Sequence, residues 1–118
     1  MRMRLHRGER AEVQQERSSM IERDVEKLLV RAVEAVGGIA YKFISPGHSG
    51  VPDRLVVLPG GEMFFVELKA PGKHERPLQV QEQERLRALG CKVFSSVDSP
   101  ERVEEVARYM RRVCGYGV

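Results

Sequence analysis

Two apolar runs, "DRLVVL" (53–58) and "EMFFVELK" (62–69), stand on either side of Pro59-Gly60-Gly61. Nothing else in the chain constrains its fold as tightly. Runs of this length bounded by turn residues read as β-strands, and so short a separation makes them a hairpin. Yet Asp53 opens the first run, and Glu67 and Lys69 close the second. Aspartate is depleted in strands, and a carboxylate in a packed interior is costly unless its charge is compensated. Either these groups pair with each other, or they hold something the sequence does not contain.

The turn decides whether the two acids meet. A two-residue Gly60-Gly61 loop would set Asp53 opposite Leu68, with the carboxylates on opposite faces. A three-residue Pro59–Gly61 loop sets Asp53 opposite Glu67, with Cβ atoms about 4.5–5.5 Å apart. The composition suits the longer form, since proline fits the first corner and glycine the left-handed bulge position. Glu67 and Lys69 share a strand face, roughly 6.6 Å apart. Two carboxylates this close repel. Lys69 alone could offset one of them in a structural salt bridge, whereas a divalent cation would offset both, and hard oxygen ligands favour Mg²⁺ or Mn²⁺. Spacing alone leaves these readings level.

The remainder reads as one mixed α/β unit of 118 residues. Residues 1–18 are basic and aperiodic, carry Arg2, Arg4, Arg7 and Arg10, and are expected to be poorly ordered. A single domain is expected over 19–118. Ile21, Val25, Leu28, Leu29, Ala32, Val33 and Val36 form a helical stripe that stops at Gly37-Gly38. "IAYKFI" (39–44) is a strand, a helix should run from Leu78 to Leu89, and "CKVFSSV" (91–97) is another strand. Ser99-Pro100-Glu101 then opens a last helix that buries Val103, Val106, Ala107 and Met110. The order is α-β-β-β-α-β-α, a mixed β-sheet flanked by helices. No apolar run approaches a membrane span, and no signal peptide is legible, so a cytoplasmic protein is expected. Cys91 and Cys114 lack the spacing of a metal site. The net charge of +3 only leans toward nucleic acid.

"PD" (52–53) followed after one hairpin by "ELK" (67–69) resembles the signature of the PD-(D/E)xK nuclease superfamily. The longer string resembles the VRR-NUC family, especially its small stand-alone phage and bacterial members. It runs from "GG-IAYKFISPGHSGVPDRLVVLPGG-EMFFVELKAPG" through "PLQ" (77–79) to "LRALG" (86–90), about two thirds of the chain. The resemblance implies a restriction-endonuclease-like core and a metal-dependent DNA endonuclease, with a bacterial or phage-infected cell as its setting. It implies that Asp53, Glu67 and the Leu68 backbone carbonyl hold Mg²⁺ or Mn²⁺, and that Lys69 orients or deprotonates the attacking water. Gln79 matches the family's glutamine at the start of the second helix, where it either contacts phosphate or water or is simply solvated. Relatives act on branched DNA such as four-way junctions or flaps, which implies a homodimer. An interface from the last helix (Val103, Val106, Met110) or the first is expected. The alternative is a non-catalytic DNA-binding module with a vestigial site, and the intact Asp, Glu and Lys count against it.

A third acid is expected on the first helix. Glu34 falls opposite the apolar stripe and should be solvated, whereas Glu22 and Glu26 lie on its flank. Glu26 stands eleven residues before Gly37, as the family pattern implies, and is assigned as the third metal or water ligand, with Glu22 second. The loops beside the site offer His48 and Ser49 before Asp53, and Lys73, His74 and Arg76 after Lys69, as DNA-backbone contacts.

Overall fold

A computed structural model describes residues 23–115. The arginine-rich segment 1–18 and Glu22 lie outside the described residues, so the expectations placed on them are not addressed. Helix α1 spans 23–35. Strands β1 (Ile39–Lys42), β2 (Arg54–Val57) and β3 (Met63–Leu68) follow, then α2 (Pro77–Ala88), β4 (Val93–Val97) and α3 (Pro100–Val113). The element order is the expected α-β-β-β-α-β-α. The strands lie side by side in chain order, β1-β2-β3-β4. The first three are antiparallel neighbours; β4 runs parallel to β3, as a strand reached through a helical crossover can.

Alternation divides the sheet into two unlike faces. Val56, Phe64, Val66, Phe94 and Val97 point into one core with Val25, Leu29, Val33 and Val36 of α1 and Val103, Val106, Ala107 and Met110 of α3. Each such side chain contributes about 1.5–3 kcal/mol when fully buried. Leu28, expected on the α1 stripe, sits at its exposed margin. The helix stops where left-handed Gly37 (φ 84°) turns the chain and the Gly38 amide donates to the Val33 carbonyl. In α3 the Ser99 hydroxyl accepts from the Arg102 amide, capping the first turn as the sequence indicates.

Two expectations need correction. Val103, Val106 and Met110 are buried in the chain's own core, so they are not available to an interface between copies. The strands are also shorter than the apolar runs. β1 ends at Lys42, β2 starts at Arg54 and β3 ends at Leu68, leaving Asp53 and Lys69 just beyond the ladder. Between Asp53 and Glu67–Leu68 amide-to-carboxylate bonds replace the backbone pairing, while Asp53 O still accepts from the Phe43 amide and the Lys69 amide donates to Val97 O.

Among the described residues the second face is only partly covered. α2 turns two glutamines inward, Gln79 and Gln83, rather than an apolar stripe. Leu78 and Val80 of the same helix are exposed, as are Ile39, Tyr41 and Met63 on the strands.

Candidate active site

Arg54 lies opposite Val66, Leu55 opposite Phe65, Val56 opposite Phe64 and Val57 opposite Met63. This is the register of the three-residue connection, and one step outward it brings Asp53 to Glu67. The Leu58 amide donates to Glu62 O (2.8 Å) and the Gly61 amide to Leu58 O (3.1 Å). Gly61 is left-handed as expected (φ 88°), and so is Gly60 (φ 91°), a conformation that side chains rarely adopt. At the strand ends the acids are held crosswise. The Asp53 amide donates to Glu67 Oε2 (3.1 Å), and the Leu68 amide donates to Asp53 Oδ1 (3.1 Å).

Glu67 is buried, and its other oxygen is organised by α2. Gln79 Nε2 donates to Glu67 Oε1 (2.9 Å). The Lys69 ammonium donates to Gln79 Oε1 (2.8 Å), which also accepts from the Arg76 amide (2.8 Å). Lys69 Nζ stands 3.8 Å from Glu67 Oε1. Gln79 is only 7% exposed, which removes the solvated alternative. Burial, and next the charge of Asp53, push the Glu67 carboxyl up to about 7 against the pull of Lys69. Asp53 is accessible to solvent but hemmed in by protein atoms. That desolvation raises its carboxyl, against the Leu68 amide and Arg54.

The two desolvated carboxylates have one ammonium beside them, 3.8 Å from Glu67 and already bonded to an amide oxygen, while the nearby Arg54 is paired with Glu26. That imbalance, with donors that are all hard oxygens, fits a divalent cation. Among the described residues no three His, Cys, Asp or Glu side chains come together, so the fit rests on the Asp53–Glu67 pair. Glu26 is engaged by the buried Arg54 guanidinium, which also donates to Ala40 O (3.4 Å). Glu26 nonetheless lines the same depression of about 260 Å³ as Asp53, Leu68, Lys42, Phe43 and Ile44.

No family model matches the sequence. A protein named "Putative nuclease p44", from Acyrthosiphon pisum secondary endosymbiont phage 1, is 58% identical over 73 residues, covering 62% of this chain and 78% of that protein. A solved structure described as a VRR_NUC domain is 37% identical, with a TM-score of 0.69 over 75% of this chain and 96% of that one. The chain belongs to the VRR-NUC family.

The two loops of this VRR-NUC chain flank the acids differently. In the 45–52 loop, left-handed Gly50 lies against the start of α2, where an added Cβ would stand 2.5 Å from Leu78 O. His48 Nε2 pairs with Glu82 (2.9 Å), while Ser49 is exposed. The second loop places Lys73, His74 and Arg76 beside Lys69 around a depression of about 400 Å³. Sequence reasoning missed Arg54 and Glu82. A lone arginine inside an apolar strand run was the one available signal for Arg54.

Proposed function

We propose that this VRR-NUC chain is a metal-dependent DNA endonuclease, acting on branched DNA such as four-way junctions or flaps in the cytoplasm of a bacterial or phage-infected cell. One observation carries the reading: Asp53 and Glu67 meet across the hairpin, with Lys69 and Gln79 ordered against Glu67. Asp53, Glu67 and the Leu68 carbonyl would hold Mg²⁺ or Mn²⁺, and Glu26, at the same depression, is the third acid. The bound ion would supply a water of lowered pKa and offset charge on the phosphate.

The chain's own groups do the rest. Lys69, kept in place by Gln79, faces the scissile phosphate as an ammonium donor and orients the water; only as the free amine would it take the water's proton. The water oxygen bonds to phosphorus and gives up a proton to solvent or to a free Lys69 amine, the bond to the 3′ oxygen breaks, and that oxygen takes up a proton from solvent. The products are a 5′-phosphate and a 3′-hydroxyl. Gln79 directs Lys69 and Glu67 toward one point, the pre-alignment that gives such clusters their rate. Lys73, His74 and Arg76 form a basic wall for the DNA backbone, with His48 and Ser49 on the other loop as further contacts.

Paired nicks on a four-way junction call for two sites related by a two-fold axis, so the working form is a homodimer. With the α3 residues committed to the core, exposed Ile39, Tyr41 and Met63 offer apolar surface for that contact. Light scattering at micromolar concentration should give twice the chain mass; a monomer with full junction cleavage would exclude the dimer.

The test of activity is cleavage of end-labelled duplex, flap, splayed-arm and four-way-junction DNA in Mg²⁺. Faster cutting of branched forms is expected. Equal cutting of plain duplex would remove the structural preference, and binding without cutting in Mg²⁺ or Mn²⁺ would favour a non-catalytic DNA-binding module.

A further inference from the structure

Between the Val66–Phe94 and Leu68–Val97 pairs, β4 carries one more residue than β3. The surplus falls at Ser95–Ser96. Ser96 has φ 51°, the one non-glycine residue at positive φ among the described residues. Bulges of this kind re-aim side chains beside sites, and a left-handed serine persists only when its surroundings hold it. Three elements do so. Arg102 of α3 donates to Ser95 O (2.7 Å). Arg87 of α2 donates to Ser95 Oγ (3.3 Å) and Val93 O (3.0 Å). Glu75, from the loop before α2, accepts both the Ser96 amide (2.7 Å) and its hydroxyl (2.9 Å) on Oε1.

The position of Glu75 in the chain gives this latch its consequence. The next residue is Arg76, whose amide donates to Gln79 Oε1, the same oxygen that receives the Lys69 ammonium. On the other side, the Lys69 amide donates to Val97 O, immediately after the bulge. The loop carrying Lys73, His74 and Arg76 is therefore tied at Lys69 to the end of β4 and at Glu75 to its bulge. We infer that Glu75 is a positioning residue: through the bulged Ser96 it fixes the 70–76 loop and thereby sets Gln79 and Lys69 against Glu67. The inference rests on the nuclease reading for its effect on catalysis, but not for the latch itself.

Both bonds fall on one oxygen, so Glu75→Gln can reproduce them and Glu75→Ala cannot. Cleavage of a labelled four-way junction in Mg²⁺ should show kcat for Glu75→Ala reduced about 10-fold or more, with KM changed much less. Glu75→Gln should stay within about 3-fold of wild type. Ser96→Gly, which keeps the amide donor and takes positive φ freely, should also stay close to wild type. A merely structural role would lower the melting temperature of Glu75→Ala and leave kcat per folded molecule unchanged, and that result overturns the inference. Amide hydrogen exchange gives a readout independent of cutting. Exchange at Arg76 and through 70–79 should quicken about 10-fold in Glu75→Ala and not in Glu75→Gln. If the wild type cuts no DNA, the nuclease reading fails and exchange alone decides: quickened exchange supports the latch, unchanged exchange overturns it.

Discussion

Asp53 and Glu67 each accept a hydrogen bond from the other's strand, the Asp53 amide bonding Glu67 Oε2 and the Leu68 amide bonding Asp53 Oδ1. The two carboxylates are thus pinned side by side by main-chain donors that no rotamer change can carry away. Lys69 offsets only part of that charge: it stands 3.8 Å from Glu67 Oε1 and gives its hydrogen bond to Gln79.

Asp53→Asn isolates charge from geometry. Its amide oxygen can keep the Leu68 bond while its charge, and the repulsion on Glu67, disappears. Without metal at pH 8 the melting temperature should stay level or rise, while cutting is lost. A fall of many degrees would restore the salt-bridge reading.

The pH dependence of the metal-free protein follows from Glu67. Its carboxyl is raised from 4.5 to about 7, so between those values the folded chain holds a proton that the unfolded chain has released. The resulting stabilisation is complete below about 4.5 and is lost as pH passes about 7. Thermal unfolding should give a lower melting temperature at pH 8 than at pH 5.5, with the difference reduced in Glu67→Gln. Saturating Mn²⁺ should stabilise the wild type more at pH 8. An identical pH dependence in wild type and Glu67→Gln would contradict the assignment.

Gln79 joins three partners, and Gln79→Ala leaves Glu67 Oε1, the Arg76 amide and Lys69 without it. The expected result is a loss of about 1–3 kcal/mol in denaturant unfolding and a kcat reduced about 10–100-fold. Wild-type kcat in this variant would show that Lys69 needs no such support.

Glu26 is the partner of buried Arg54, and the proposed function adds a second, separable role as third acid. Glu26→Gln can still accept from Arg54 but leaves the buried guanidinium charge uncompensated, so the free energy of unfolding should fall by about 1–3 kcal/mol. If Glu26 also serves the metal, the Mg²⁺ concentration for half-maximal cutting should rise several-fold. Unchanged metal dependence would confine Glu26 to its ion pair.

The sequence made the hairpin legible because Pro59-Gly60-Gly61 leaves few ways to close it, and the register then places Asp53 by counting. Ser99-Pro100-Glu101 likewise marked the start of α3 by local chemistry. The features that escaped depend on distance or context. Arg54 and Glu26 are 28 residues apart, beyond any local pattern. The β4 bulge sits in serines, with no glycine to announce it, and is imposed by Glu75, Arg87 and Arg102 from other elements. Gln79 and Gln83 make the inward side of α2 polar, so apolar periodicity could not say which side faced the sheet. Gln79 stood out only through the family resemblance.

In the proposed function Asp53 and Glu67 together hold the divalent ion needed to cut DNA. The most direct measurement is the single-turnover cleavage rate of a labelled four-way junction by wild type, Asp53→Asn and Glu67→Gln. Each protein is compared in Mg²⁺, Mn²⁺, Ca²⁺ and EDTA. The wild type should cut in Mg²⁺ and Mn²⁺ but not in Ca²⁺ or EDTA, with both variants slowed at least about 10³-fold while still binding the junction. Cleavage by the wild type in EDTA, or wild-type rates in either variant, would contradict that reading.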